Sequence, residues 1–314
     1  MNTFFAALAR SFPPRRLAVL VGLAAAILWA YWPTLDEVVR KWVRDPQYSH
    51  GYLVPLFSLY LLWWRRGQLT GAQFRPNWLG ALLLACALGL RLAGVYWYFS
   101  WFEAVSLLPL LAGIALLLGG WPALRWSWPA IAFLIFMVPL PYRLETGLAH
   151  PLQGIATATA AYTLQTLGLP ALTEGHVIHV HEARIGVVEA CSGLGMLLLF
   201  FALAVGLAIR VRRPLLDRLV IVASAVPVAI AANVVRITVT AFLHVTVGGR
   251  WADLVFHDLA GWLMMPLALG MLWLELYVLS RLLVPRRVRG LVPVHVVQSA
   301  GASASRPKKH VAAR

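Results

Sequence analysis

The sequence predicts an all-α polytopic membrane protein of about eight transmembrane helices, with a short strand-like outer segment before the sixth span. Three observations predict it. Hydrophobic residues make up 61% of the chain and charged residues only 12%, whereas a domain facing water is about a quarter charged. Mean hydropathy is +0.75, and the apolar residues fall into runs approaching the roughly 17–25 needed to cross a bilayer as helices. The net charge of +15 comes from Lys and Arg outnumbering Asp and Glu by 27 to 12, and those cations gather in alternate connecting segments.

The spans are read at 17–32, 51–64, 78–97, 101–120, 126–140, 191–209, 219–243 and 257–284. The second and fifth are short. Arg15 and Arg16 before the first resemble a signal-peptide n-region, but no small-residue cleavage site follows, which marks an uncleaved anchor. The segment 148–169 is apolar but rich in Ala and Thr, so it could span, re-enter or lie at the interface. Residues 1–284 form one integral membrane domain, and the basic tail 285–314 has the composition of a disordered cytoplasmic extension. The 14 tryptophans suit membrane interfaces.

Charge sets the orientation, because Arg and Lys collect in cytoplasmic loops. With the N-terminus inside and 148–169 not spanning, the cytoplasmic segments hold Arg65, Arg66, Arg75, Arg125, Arg210, Arg212, Arg213 and Arg218. They also hold the N-terminal arginines and the basic tail. Arg40, Lys41, Arg44, Arg143, Arg184 and Arg250 fall outside, and Arg91 and Arg236 lie within spans. The excess charge is therefore explained by topology and attraction to the inner leaflet, not by nucleic acid.

This topology brings three chemically capable residues to one face. Cys191 opens the sixth span within Glu189-Ala-Cys-Ser-Gly-Leu-Gly195. A helix N-terminus and nearby cations favour the thiolate, the nucleophilic form; the plainer reading is a small buried hydrophobe. Arg236 lies in the seventh span, where a guanidinium is costly unless it meets a partner or a polar cavity. Asn233 and Thr240 share its helical face; the alternative is snorkelling to the headgroups. His257 opens the eighth span beside Asp258, as a general acid and base or as a structural hydrogen-bonder. His176, His179 and His181 alternate in the outer segment, but no acidic or cysteine ligand completes a zinc pattern, so neither metal nor cofactor is expected. Cys86, among Leu and Ala in the third span, is expected to pack, and Arg91 to snorkel or pair structurally.

These residues carry a family resemblance. The chain resembles the exosortases through Glu-Ala-Cys-Ser-Gly-Leu at 189–194, Asn-Val-Val-Arg at 233–236 and the histidine at 257. Asp45-Pro-Gln-Tyr-Ser-His-Gly-Tyr-Leu-Val-Pro55, Leu59-Tyr-Leu-Leu-Trp-Trp-Arg-Arg66 and Phe136-Met-Val-Pro-Leu-Pro141 also match. The resemblance implies a polytopic cysteine enzyme of the bacterial inner membrane, with its active site toward the periplasm. Its substrates would be exported proteins ending in a Pro-Glu-Pro motif, a transmembrane helix and a basic end. Cys191 would then be the nucleophile of a thioester acyl-enzyme and His257 the acid and base. Arg236 would stabilise the thiolate or oxyanion, with Glu189, Ser192 and Asn233 as positioning residues.

Two other classes compete. A transporter or channel could use Arg236 and Asn233 as an anion site, with Cys191 as packing. It would fit a two-half repeat and a midplane site, and neither pattern is present in the sequence. A membrane acyl- or glycosyltransferase would need an acidic metal-binding motif, which is also missing.

Overall fold

In a computed structural model, the described residues are 14–180, 183–186, 193–211 and 213–246, with 270, 271, 273, 274 and 277. The helices are α1 (Pro14–Arg44), α2 (Leu53–Trp64), α3 (Leu79–Tyr96), α4 (Ser100–Val105), α5 (Leu107–Phe133), α6 (Tyr142–Thr166), α7 (Leu194–Arg210) and α8 (Leu215–Thr246). Strands β1 (Ala171–Glu174), β2 (Val177–Val180) and β3 (Ala183–Gly186) lie between α6 and α7. The protein is an all-α membrane protein carrying one small sheet.

Each helix buries a narrow face. In α1 the buried positions Tyr31, Thr34, Val38 and Trp42 recur every three or four residues, one helical stripe. In α3 the buried positions are Gly80, Ala87 and Gly94. A Cβ on Gly80 would lie 2.6 Å from the Gly113 carbonyl oxygen of α5, and one on Gly113 would lie 2.9 Å from that of Gly80. Small residues at such contacts are how membrane helices gain van der Waals packing where lipid leaves no hydrophobic drive between them. The same stripe turns Cys86 outward: it is exposed on α3, which corrects the expectation that it packs.

Two boundaries differ from those read in the sequence. The run 51–64 does not begin as a helical span: Pro46–Tyr52 is a 3-10 turn, N-capped by the Asp45 side chain, and only the 12 residues of α2 follow as α-helix. The runs 101–120 and 126–140 meet in the single element α5, interrupted at Gly120 (φ 67°, ψ −162°). A Cβ on Gly120 would strike the Arg75 carbonyl oxygen. The positive φ suits glycine alone, and the break lets the chain reverse between α3 and α2.

Contacts fix which ends of the helices lie together. Arg65 donates to the carbonyls of Trp126 (3.1 Å) and Arg125 (2.8 Å), and Trp126 Nε1 donates to Leu62 O at 3.1 Å. Arg210 lies over the Trp64 ring at 4.5 Å, and Arg218 Nε donates to Arg213 O at 2.9 Å. One end of the bundle thus collects these arginines, as the charge pattern requires. At the opposite end Trp42 Nε1 donates to Met137 O at 2.9 Å, and Leu140 N donates to the Tyr48 hydroxyl at 3.2 Å.

The first turn of α7 lies at that opposite end, against Gln47. Because α5 finishes and α7 starts there, the segment between them returns to the end it left. Within it α6 is a continuous 25-residue helix covering most of the 148–169 run. It packs through Ala156, Ala160, Ala161 and Leu164 on Val234, Ile237 and Ala241 of α8, with Ile178 and Val180 of β2 in the same cluster. The outer segment is therefore not one strand but an antiparallel sheet in the order β1-β2-β3.

Among the described residues, three helical stretches are long and apolar enough to cross a membrane: Leu79–Tyr96, Ser100–Met137 and Leu215–Thr246. That is short of the eight expected. The α2 helix is too brief by this measure, α7 at 17 residues falls just under it, and the 101–140 region counts once. The 257–284 run lies almost wholly outside the described residues.

Candidate functional site

Two polar stretches meet where α7 begins. Gly193 is its N-cap, in the left-handed region (φ 80°), without a side-chain cap. A Cβ there would lie 2.9 Å from Asn233 Nδ2, and one on Gly195 would lie 2.8 Å from the Cα and Cβ of Gln47. The first turn of α7 is thus gripped between an amide side chain of α8 and the 3-10 turn that follows α1. Glycine at both positions is what permits the approach.

The polar face expected on α8 is present. Asn233 is 1% exposed and Thr240 is 7% exposed, and Arg236 is half-buried. Thr240 Oγ1 donates to Arg236 O at 2.9 Å. The face turns toward α6 and α7 rather than lipid. The recess beside Asn233, lined by Leu152, Ala156, Gly193, Leu197, Ala229 and Ile230, has about 10 Å³ of free space. That leaves room for about one water.

Cys191, Ser192, Glu189 and His257 lie outside the described residues. The structure brings Asn233 to Gly193, two residues after Cys191 in the chain, and places Arg236 one helical turn further along α8. His179 Nε2 lies 3.3 Å from Glu174 Oε2 across the β1–β2 hairpin. Arg91 is held structurally, with its guanidinium 4.3 Å over the Tyr31 ring and a bond to Ala30 O.

A third group was not assigned a role from the sequence. Gln47 Nε2 donates to Asp45 Oδ2 at 2.9 Å and to Glu145 Oε1, and Lys41 Nζ pairs with Asp45 at 3.1 Å. Burial and the neighbouring Glu145 carboxylate push the Tyr48 phenol above its ordinary value, so it stays protonated. Burial holds the His50 imidazole below its ordinary value, opposed by hydrogen bonds to the backbone of Gln47 and Phe136. The signal was available: a polar run opening with Asp-Pro between two apolar runs is a capped turn. Its contact with α7, 148 positions on, was not.

On the same side of the bundle, a cleft of about 640 Å³ lies between the charged C-terminal half of α1, the start of α4 and the Val138–Tyr142 link. Its walls include Arg40, Lys41, Arg44, Trp101 and Tyr142.

The family model described as transmembrane exosortase matches residues 42–274. No curated protein and no solved structure matches the chain. The matched region spans the capped turn, the α7 start and the α8 polar face.

Proposed function

From the premise that this chain belongs to the transmembrane exosortase family, a family of membrane-embedded sorting proteases and transpeptidases, we propose that it cleaves the C-terminal sorting signal of exported proteins through Cys191. The observation that carries this reading is the contact of Asn233 with Gly193. It joins the stretch following Cys191 to the polar face that bears Arg236.

His257 takes the proton of the Cys191 thiol, and the resulting thiolate attacks the carbonyl carbon of the scissile peptide. Arg236 stabilises the oxyanion of the tetrahedral intermediate. The C–N bond breaks, and His257 gives the leaving amine its proton. The thioester then passes its acyl group to water or to an amine, and His257 takes up that nucleophile's proton. Asn233, Ser192 and Glu189 position the reacting groups. No cofactor or metal takes part. The substrates are exported proteins with a Pro-Glu-Pro motif, a transmembrane helix and a basic end. The enzyme spans the bacterial inner membrane about eight times, with the site toward the periplasm and the basic tail in the cytoplasm.

The test is cleavage in cells co-expressing the protein with a Pro-Glu-Pro-tailed substrate, followed as loss of the substrate's C-terminal helix. Wild type should cleave. Cys191→Ala, Cys191→Ser, Arg236→Ala and His257→Ala should not, at matched membrane levels. Cleavage by Cys191→Ala would remove the nucleophile assignment.

A further inference from the structure

We propose that Gln47 is a positioning residue for the Cys191 thiol, acting through the first turn of α7 and itself held by the carboxylates of Asp45 and Glu145. The proposal rests on the exosortase reading above. Its physical basis is the bonding of one side chain. Both amide hydrogens of Gln47 are committed, one to Asp45 at 2.9 Å and one to Glu145. Its backbone N–H donates to Asp45 Oδ1 at 3.2 Å. Hydrogen bonds to ionised acceptors are roughly twice as strong as neutral ones, so the side chain has one stable orientation.

Its anchors are themselves tied down. Asp45 caps the 3-10 turn and pairs with Lys41 of α1. Glu145 lies in the first turn of α6, beside the Tyr48 phenol, which in turn receives Leu140 N. Gln47 therefore carries the positions of α1, α6 and the end of α5 to the point where it touches Gly195. Asn233 holds the same turn at Gly193.

An apolar residue would fill the space against Gly195 as well. What an amide between two carboxylates adds is a fixed position for the turn that begins two residues after the nucleophile. Misplacing a reacting group by about 1 Å costs on the order of a hundredfold in rate. A clamp of this kind thus affects rate before it affects folding.

The full-length protein is tested in a Cys86→Ala background, which leaves Cys191 as the single thiol, since the chain has 2 cysteines. Two readouts are taken at matched membrane levels: substrate cleavage in cells, and the rate of Cys191 alkylation by a membrane-impermeant maleimide on spheroplasts. Gln47→Ala, the equally long Gln47→Met and Glu145→Ala should each slow cleavage about tenfold and change the alkylation rate. Glu145→Gln keeps an acceptor for Gln47 and should stay within about threefold of wild type. The Gln47→Ala, Glu145→Ala double variant should lose no more than either single variant, because both remove one clamp.

Wild-type cleavage and alkylation rates in Gln47→Met would overturn the proposal, as would a double variant showing the product of the two single losses. Cys191→Ala separates the levels. If it still cleaves, the exosortase reading fails, while the alkylation rates still decide whether Gln47 sets the thiol's position.

Discussion

Gly193 and Gly195 show how much chemistry a missing side chain can carry. Their neighbours Asn233 and Gln47 come from segments far away in sequence, and each occupies the space a Cβ would need. Gly193→Ala meets both the Asn233 amide and a positive φ, which costs a non-glycine residue about 1–2 kcal/mol. Loss of cleavage at wild-type membrane level is expected; an active Gly193→Ala enzyme would show that the close approach is dispensable. His50 offers a second prediction at this scale. It lies in the 3-10 turn outside the spans, and burial lowers its proton affinity. Below about pH 6.5 the unfolded chain protonates this imidazole while the folded protein resists. The stability that neutral His50 contributes is therefore present above that pH and lost as pH falls below it. Thermal unfolding in detergent at about pH 7.5 and 5.5 should drop more steeply for wild type than for His50→Gln. Parallel slopes would mean the imidazole is protonated equally in both states.

Among the elements, α5 decides most. Its 27 residues would reach about 40 Å if straight, longer than the roughly 30 Å hydrocarbon core. Gly120 divides it, and the halves pack on different partners, Gly80 of α3 on one side and Arg65 at the end of α2 on the other. Gly120→Val combines a forbidden φ with a collision at the Arg75 carbonyl. The variant should accumulate at clearly lower membrane levels, whereas Gly89→Val, at a position with nothing within 4 Å, should accumulate normally. Equal levels of the two would remove the reversal from its structural role. The α8 helix illustrates the same accounting of length. At 32 residues it would run about 48 Å, and α7 accompanies it only as far as Asn233. Beyond that point α6 and the sheet take over its packing, so the polar face falls where one set of neighbours hands over to the next.

At the scale of the whole molecule, the gathering of Arg65, Arg125, Arg210 and Arg218 at one end of the bundle makes a topological prediction. Reporter fusions after Arg213 should behave as cytoplasmic, and fusions after Gly175, in the β1–β2 turn, as exported. The same behaviour for both would break the proposed topology. An odd number of crossings between Leu140 and Gly193 would contradict the contacts that place both at one end.

Composition by itself determined that lipid is the solvent, because no water-facing surface can be assembled from so few charges. Charge distribution determined which helix ends lie together, because cations avoid the hydrocarbon core wherever they sit in the fold. The helical period placed Asn233, Arg236 and Thr240 on one face, because that period is local. The motifs around Cys191, Arg236 and His257 pointed to the family. Three things were settled only by tertiary structure. The packing of the helix that carries most of 148–169 on α8 and the sheet depended on long-range contacts, and local hydropathy is silent on those. The outward turn of Cys86 depended on which face of α3 found small residues to pack against. The link between Gln47 and the turn after Cys191 depended on two segments 148 positions apart, Gln47 and Gly195, meeting where Gly195 has no side chain. Long-range contact is not written in the spacing of either segment.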